Sequence, residues 1–177
     1  MSLIIYRMAN NEKVINILND MNKAIDVMRK AATWLLESGK NPSKWWRLEN
    51  LNSKFLLQYA KSSEFYVLLI DKKPAAAAIF QTNQNSQDWQ SIDKNNHKHA
   101  LYIHWLCVDP VFSGKGLPKL MVEFAKTKAK ENNIGLLRVD TNANEIKLRQ
   151  IYEKLGFSLV AIEKEDYRET AFYEKKV

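Results

Sequence analysis

The residues best placed to do chemistry crowd into one stretch, LYIHWLCVDPVFSGKGLPKLMVEFAKTKAK, Leu101 to Lys130. An apolar strand pattern runs into Ser113-Gly114-Lys115-Gly116-Leu117-Pro118, and a helical pattern follows. The chain has only 5 glycines and 4 prolines, yet two of the former and one of the latter fall between Gly114 and Pro118. Glycine reaches positive φ and lets a ligand approach the backbone closely. A helix start offers unpaired N–H groups and about half a positive charge, and Lys115 adds a full charge. Together these suit a phosphate or diphosphate. A Walker A loop is excluded, because Gly114-Lys115 is followed by Gly116 and no glycine stands five residues earlier. A dinucleotide fingerprint would need glycine where Lys119 stands. Without a ligand, the same residues also make an ordinary strand-to-helix turn.

A second motif lies downstream, Tyr152-Glu153-Lys154-Leu155-Gly156-Phe157. Ser113 to Pro118 matches the pattern Q/R-x-x-G-x-G/A with Gly116 on its signature glycine, and Tyr152 to Phe157 matches Y-x-x-x-G-F. The two occur in the right order, one helix and one strand apart. On these residues the sequence resembles the GNAT acyltransferases, the N-acetyltransferase superfamily that uses acetyl-CoA. The motifs cover Leu101 to Phe157, and the element order extends the resemblance to the whole chain. Two positions depart from the pattern. Ser113 replaces the long Gln or Arg, and Pro118 removes one N–H, although proline suits a helix's first turn.

The resemblance implies a co-substrate, acetyl-CoA, and an amine acceptor, with direct attack of the amine on the thioester. It implies that Ser113, Gly114, Lys115, Gly116, Leu117 and Pro118 hold the diphosphate. The main chain of Leu106, Cys107 and Val108 would take the pantetheine arm, helped by Asn142 or Asn144. The usual asparagine slot, measured back from Tyr152, falls on Glu145. Tyr152 is implied as the general acid at the cofactor sulfur, and a phenol of pKa near 10 can give a proton to a thiolate. Its other reading is a core tyrosine beside Ile151 and Leu155. His104 is the candidate base: side chains alternate along a strand, so Tyr102, His104, Leu106 and Val108 share a face, and imidazole titrates near neutrality. Asp140 is a second option. Trp45 and Trp46 lie where the resemblance puts the acceptor; adjacent tryptophans wall a pocket, bind a cation, or anchor a loop. Asn142 and Asn144 also suit a helix start. Trp89, His97 and His99 are candidate lid residues. A GNAT-like module that binds CoA or a protein without catalysis is the alternative reading. No metal is implied, and a homodimer is left open.

These residues need elements to hold them. "LIIYRM" (Leu3–Met8) reads as a strand. From Asn11, Val14, Leu18, Met21, Ile25, Met28, Ala32 and Leu35 form a helical stripe, one long helix or two, ended by Gly39 and Pro42. A second helix is expected at about Asn50–Ala60. Glu64–Asp71 and Ala75–Thr82 read as an antiparallel hairpin, although alanine favours helix. Asn83–His99 is polar, aperiodic and expected as a long loop. A strand (Ala100–Asp109), helix (Leu117–Asn132), strand (Gly135–Thr141), helix (Asn144–Leu155) and two strands follow. The order β-αα-ββ-β-α-β-α-β-β predicts a mixed α/β fold. The resemblance implies a central, mostly antiparallel sheet of about seven strands flanked by about four helices, in a single domain over residues 1–177.

Composition sets the outer bounds. The chain has 177 residues, enough for one real core, and 46% hydrophobic residues. Its formal net charge of +7 favours anionic partners. The lysines are dispersed, and neither a base-reading basic helix nor an RRM-like aromatic strand is present, so nucleic acid is not expected as a partner. No apolar run approaches membrane-spanning length, and the opening MSLIIYRMA is a poor secretory signal. Cys107 is the only cysteine. This excludes an intrachain disulfide and a multi-cysteine zinc site, and a reducing cytoplasm is the expected setting.

Overall fold

The computed structural model describes residues 14–40, 43–82, 89–94, 98–164 and 168–177. The strand expected at Leu3–Met8 lies outside them. A seven-stranded, mostly antiparallel sheet has its strands in the order β1 (Ile15–Asn19), β2 (Phe65–Ile70), β3 (Lys73–Gln81), β4 (Leu101–Val108), β5 (Leu136–Asn142), β7 (Glu169–Lys176), β6 (Ser158–Lys164). The chain forms two compact units, Met1–Phe80 with Trp105–Met121, and Gln81–His104 with Val122–Val177. No helix among the described residues is long and apolar enough to cross a membrane.

In the first unit, β1 (Ile15–Asn19) lies antiparallel to β2 (Phe65–Ile70), with Ile17 opposite Leu68. This corrects the helix expected from Asn11. Ile15 and Ile17 are buried and alternate with more exposed neighbours, a period of two hidden beneath the helical spacing of Val14, Leu18 and Met21. The helix α1 (Met21–Glu37) starts only after Asp20, whose extended backbone and side-chain bond to the Lys23 N–H make it the cap. Gly39, at φ 72, stops α1, with its N–H and that of Lys40 donating to Leu36 and Leu35.

The second expected helix shrinks to α2 (Ser53–Leu56), capped by Asn52. The strand β3 (Lys73–Gln81) returns from β2 through Asp71 and Lys72, both at positive φ. That is the geometry of a tight hairpin turn. Ala75, Ala76, Ala77 and Ala78 are all fully buried in it. Hairpin closure overrides alanine's helical preference here. Ala24, Val27, Met28 and Ala32 of α1 share a core cluster with Val67, Ala77 and Ile79.

In the second unit, α3 (Gln90–Asp93) interrupts the stretch expected as a featureless loop. The start of β4 (Leu101–Val108) pairs parallel with β5 (Leu136–Asn142). β7 (Glu169–Lys176) lies antiparallel between β5 and β6 (Ser158–Lys164). The helices α4 (Leu117–Glu131) and α5 (Ile146–Lys154) precede β5 and β6 in the chain. β4 and α4 each contribute residues to both units.

Candidate active site

The glycine turn lies in the first unit. Asp109 fastens its approach: the Asp109 N–H donates to Ala75, and its buried carboxylate accepts from the Val111 N–H and, at 2.8 Å, from Lys30 Nζ. A single 3-10 turn, Pro110–Phe112, follows. Gly114 and Gly116 then stand at φ 76 and 72. A Cβ at either would meet nothing within 4 Å. Backbone conformation, not packing, therefore demands glycine. Gly116 accepts from the N–H groups of Lys119 and Leu120, which opens α4. The N–H groups of Gly114, Lys115, Gly116 and Leu117 have no acceptor among the described residues. Ser113 to Gly116 are exposed, and Lys115 Nζ lies 4.9 Å over the Phe112 ring. Pro118, the second helical residue, loses an N–H that α4 could not have used itself.

Further back along β4, Trp105 carries φ 49, an uncommon conformation for an aromatic strand residue. Its indole N–H donates to the Trp45 carbonyl at 3.2 Å. Trp105 and Cys107 both pack against the core of this unit. Desolvation pushes the Cys107 thiol up to about 12, so it stays protonated at neutral pH and is no nucleophile. Trp45 and Trp46 separate: Trp46 joins the core cluster, whereas Trp45 meets Phe55, Tyr59 and Trp105.

Tyr152 lies in the second unit, 6% exposed, against the rings of Phe157 and Tyr173. The Y-x-x-x-G-F spacing has a local reason. Gly156 turns at φ 84, and the Phe157 N–H donates back to the Tyr152 carbonyl at 3.0 Å. The glycine thus brings the aromatic of the last position over the tyrosine. Ile151, by contrast, is exposed.

The β4–β5 ladder comprises Leu101 with Leu137 and Tyr102 with Arg138. His104 comes just beyond it. Its ring lies parallel to Tyr102, and its Nδ1 is 3.9 Å from the Asp140 carboxylate. Arg168 Nη2 approaches the other Asp140 oxygen at 3.3 Å. Both base candidates therefore meet in one cluster. Neither asparagine caps α5, whose N-cap is Glu145 without a side-chain bond; the Asn142 side-chain oxygen accepts from the Asn144 N–H at 3.0 Å in the turn before the helix, and Asn144 is exposed.

One cluster was missed by sequence reasoning. Arg138, fully buried in β5, donates twice to Asp93, twice to Glu174 and once to the Tyr102 hydroxyl. Its guanidinium lies 4.2 Å over the ring of Trp89, itself fully buried. Burial pushes Asp93 up, but the bonds and charge of Arg138 outweigh it and hold the carboxyl below the usual range. A lone arginine in the apolar run Leu136–Val139 was the available signal. His99 is exposed, and His97 lies outside the described residues.

Residues 25–157 match the family model of the acetyltransferase (GNAT) family. That is most of the chain, which therefore belongs to this family. A Bacillus subtilis (strain 168) protein, the uncharacterized N-acetyltransferase YesJ, is 20% identical over 162 residues, spanning 91% of this chain and 87% of that one. The crystal structure of a GNAT-family acetyltransferase from Listeria monocytogenes 4b F2365 is similar at 23% identity and a TM-score of 0.73, covering 98% of this chain and 100% of that one. The PaiA N-acetyltransferase of Thermoplasma acidophilum, solved in complex with coenzyme A, is similar at 18% identity and a TM-score of 0.66, covering 92% and 99%.

Proposed function

We propose that the whole chain acts as one acetyltransferase domain that moves an acetyl group from acetyl-CoA to the amine of a small molecule or protein. The observation that carries this is the row of four N–H groups from Gly114 to Leu117, with no acceptor among the described residues, at the start of a 15-residue helix. Two left-handed glycines, open space above them and the charge of Lys115 fit a diphosphate. The main chain of Leu106, Cys107 and Val108 would hold the pantetheine arm.

Acetyl-CoA supplies a thioester, from which the acetyl carbon gains a C–N bond and loses its C–S bond to a free thiol. Every other requirement falls to the chain's own residues. Tyr152 gives its phenolic proton to the departing sulfur. His104 accepts the proton the amine must lose. Asp140, its carboxylate 3.9 Å from His104 Nδ1, is the acidic neighbour of that ring. Trp45 walls the acceptor side, and Trp46 anchors the same segment to the core.

Calorimetric titration with acetyl-CoA, followed by an amine panel monitored for free thiol, tests this reading. Tyr152→Phe should lower turnover at least about tenfold with cofactor affinity nearly unchanged. Unchanged turnover removes Tyr152 from the mechanism. A pH–rate profile insensitive to His104→Ala reduces that residue to a structural part. Ser113 and Pro118 favour a second reading, a module that binds CoA without catalysis. It would show saturable CoA binding and no thiol release with any amine.

A further inference from the structure

The segment that leads into the glycine turn is loosely packed. It passes through the 3-10 turn Pro110–Phe112, none of whose residues is buried, and Val111 is 79% exposed. A cavity of about 470 Å³ lies against it, lined by Val111, Phe112, Lys30 and Asp109 together with Ile70 and Pro74. Apolar contact therefore does little to fix where this segment sits.

Polar bonds do that instead, and they converge on Asp109, which is buried. Its N–H donates to the Ala75 carbonyl of β3 at 2.9 Å, and its carbonyl accepts from the Phe112 N–H at 2.8 Å. One carboxylate oxygen accepts from the Val111 N–H at 3.1 Å, and the other from Lys30 Nζ at 2.8 Å. Lys30 stands on α1, where its neighbours Met28, Ala31 and Ala32 are buried, so the helix behind the ammonium is firmly seated. The path from this ion pair to the ligand-facing donors is short. The Ser113 N–H donates to Pro110 at 3.0 Å, Gly114 follows directly, and the Phe112 ring carries Lys115 Nζ at 4.9 Å. All of these residues belong to the first unit. A displacement of about 1 Å is enough to spoil a preorganised set of donors.

We propose that Lys30 and Asp109 are positioning residues for the diphosphate site. Neither touches the ligand. Their ion pair ties the 3-10 turn to α1, and so sets where the N–H groups of Gly114 to Leu117 and the charge of Lys115 stand. The effect on ligand binding rests on the acetyltransferase reading of the turn; the fastening of the segment does not.

Calorimetry with acetyl-CoA and amide hydrogen exchange of the cofactor-free protein test this together. Lys30→Met should weaken acetyl-CoA about five- to tenfold, the scale of one displaced hydrogen bond. Lys30→Arg, which gives the Asp109 carboxylate a cation again, should return affinity to within about twofold of wild type. The double variant Lys30→Met/Asp109→Asn should bind more tightly than Lys30→Met, because a neutral amide does not need the cation. Without cofactor, Lys30→Met should speed exchange of the Val111, Phe112 and Ser113 amides about tenfold and leave those of β2 unchanged. Urea unfolding checks that Lys30→Met, at a half-exposed side chain, keeps the wild-type fold. Wild-type affinity in Lys30→Met, or a loss that Lys30→Arg does not repair, overturns the proposal. Unchanged exchange at the three amides overturns it as well. If the wild-type protein binds no acetyl-CoA, the diphosphate reading fails and the ligand role falls with it, while the exchange data still decide whether the ion pair fastens the segment.

Discussion

Arg138 and the turn from Gly114 to Leu117 both present N–H groups in quantity, in different units and with opposite outcomes. All five hydrogen bonds of the Arg138 side chain among the described residues end on protein oxygens, and the residue is fully buried. The turn's four N–H groups end on none among the described residues; Ser113 to Gly116 are exposed, and of the four only Leu117 is buried. A buried donor without a partner costs about 1–3 kcal/mol, whereas an exposed one keeps its water. The first arrangement therefore fixes structure. The second keeps donors available, already oriented, for a ligand's oxygens.

The comparison can be broken most forcefully at Arg138. Arg138→Leu should cost about 3–5 kcal/mol in urea unfolding, because Asp93 and Glu174 lose their shared cation. The double variant Arg138→Leu/Asp93→Leu should recover part of it. A single variant as stable as wild type would show that the cluster is ornamental. Next comes the turn. Gly116→Glu should fold, since its Cβ meets nothing within 4 Å, yet bind acetyl-CoA roughly 100-fold more weakly through left-handed strain and added negative charge. A folded variant that binds normally places the diphosphate elsewhere.

Acid sharpens the contrast. The Asp93 carboxyl lies below its unfolded value because Arg138 more than offsets its burial. Its contribution is thus fully present above the unfolded pKa of about 3.9 and fades as pH falls through the lower folded value. Stability measured from pH 5 to 2 should drop more steeply in the wild type than in Asp93→Asn. The smallest change is expected from Pro118→Ala, which returns one N–H to the turn. It should tighten acetyl-CoA about two- to fivefold, the worth of one net hydrogen bond. Weaker binding would mean that the fixed φ of Pro118 matters more than the missing donor.

The glycine turn was legible because positive φ is a requirement written into residue type. The strand Lys73–Gln81 was legible against its alanines because a tight turn preceded it. β1 was not: Ile15 and Ile17 fit a strand while Val14 and Leu18 fit a helix, and only pairing with β2 decides between periods of two and nearly four. The polar stretch around Trp89 and Asp93 hid a buried element, because its anchor, Arg138, lies 45 residues beyond Asp93. The left-handed backbone of Trp105 has no local signature, since the residue type argues for an ordinary strand. On the chemical side, His104 and Asp140 were each legible as candidate bases, but as alternatives; their meeting depends on the β4–β5 pairing. The parting of Trp45 from Trp46 was not legible, because adjacent identical residues carry no hint of which one turns inward.

The four alanines of β3 have a consequence for how this sequence can drift. Each is fully enclosed, so no face of that strand has room for even a few extra methylenes without off-rotamer strain. Growth at Ala77 would have to be matched by shrinkage among the cluster it shares with α1. Descendants of this protein should therefore vary there in compensating pairs, and a library that randomises the alanines one at a time should return mostly glycine, serine and the original residue.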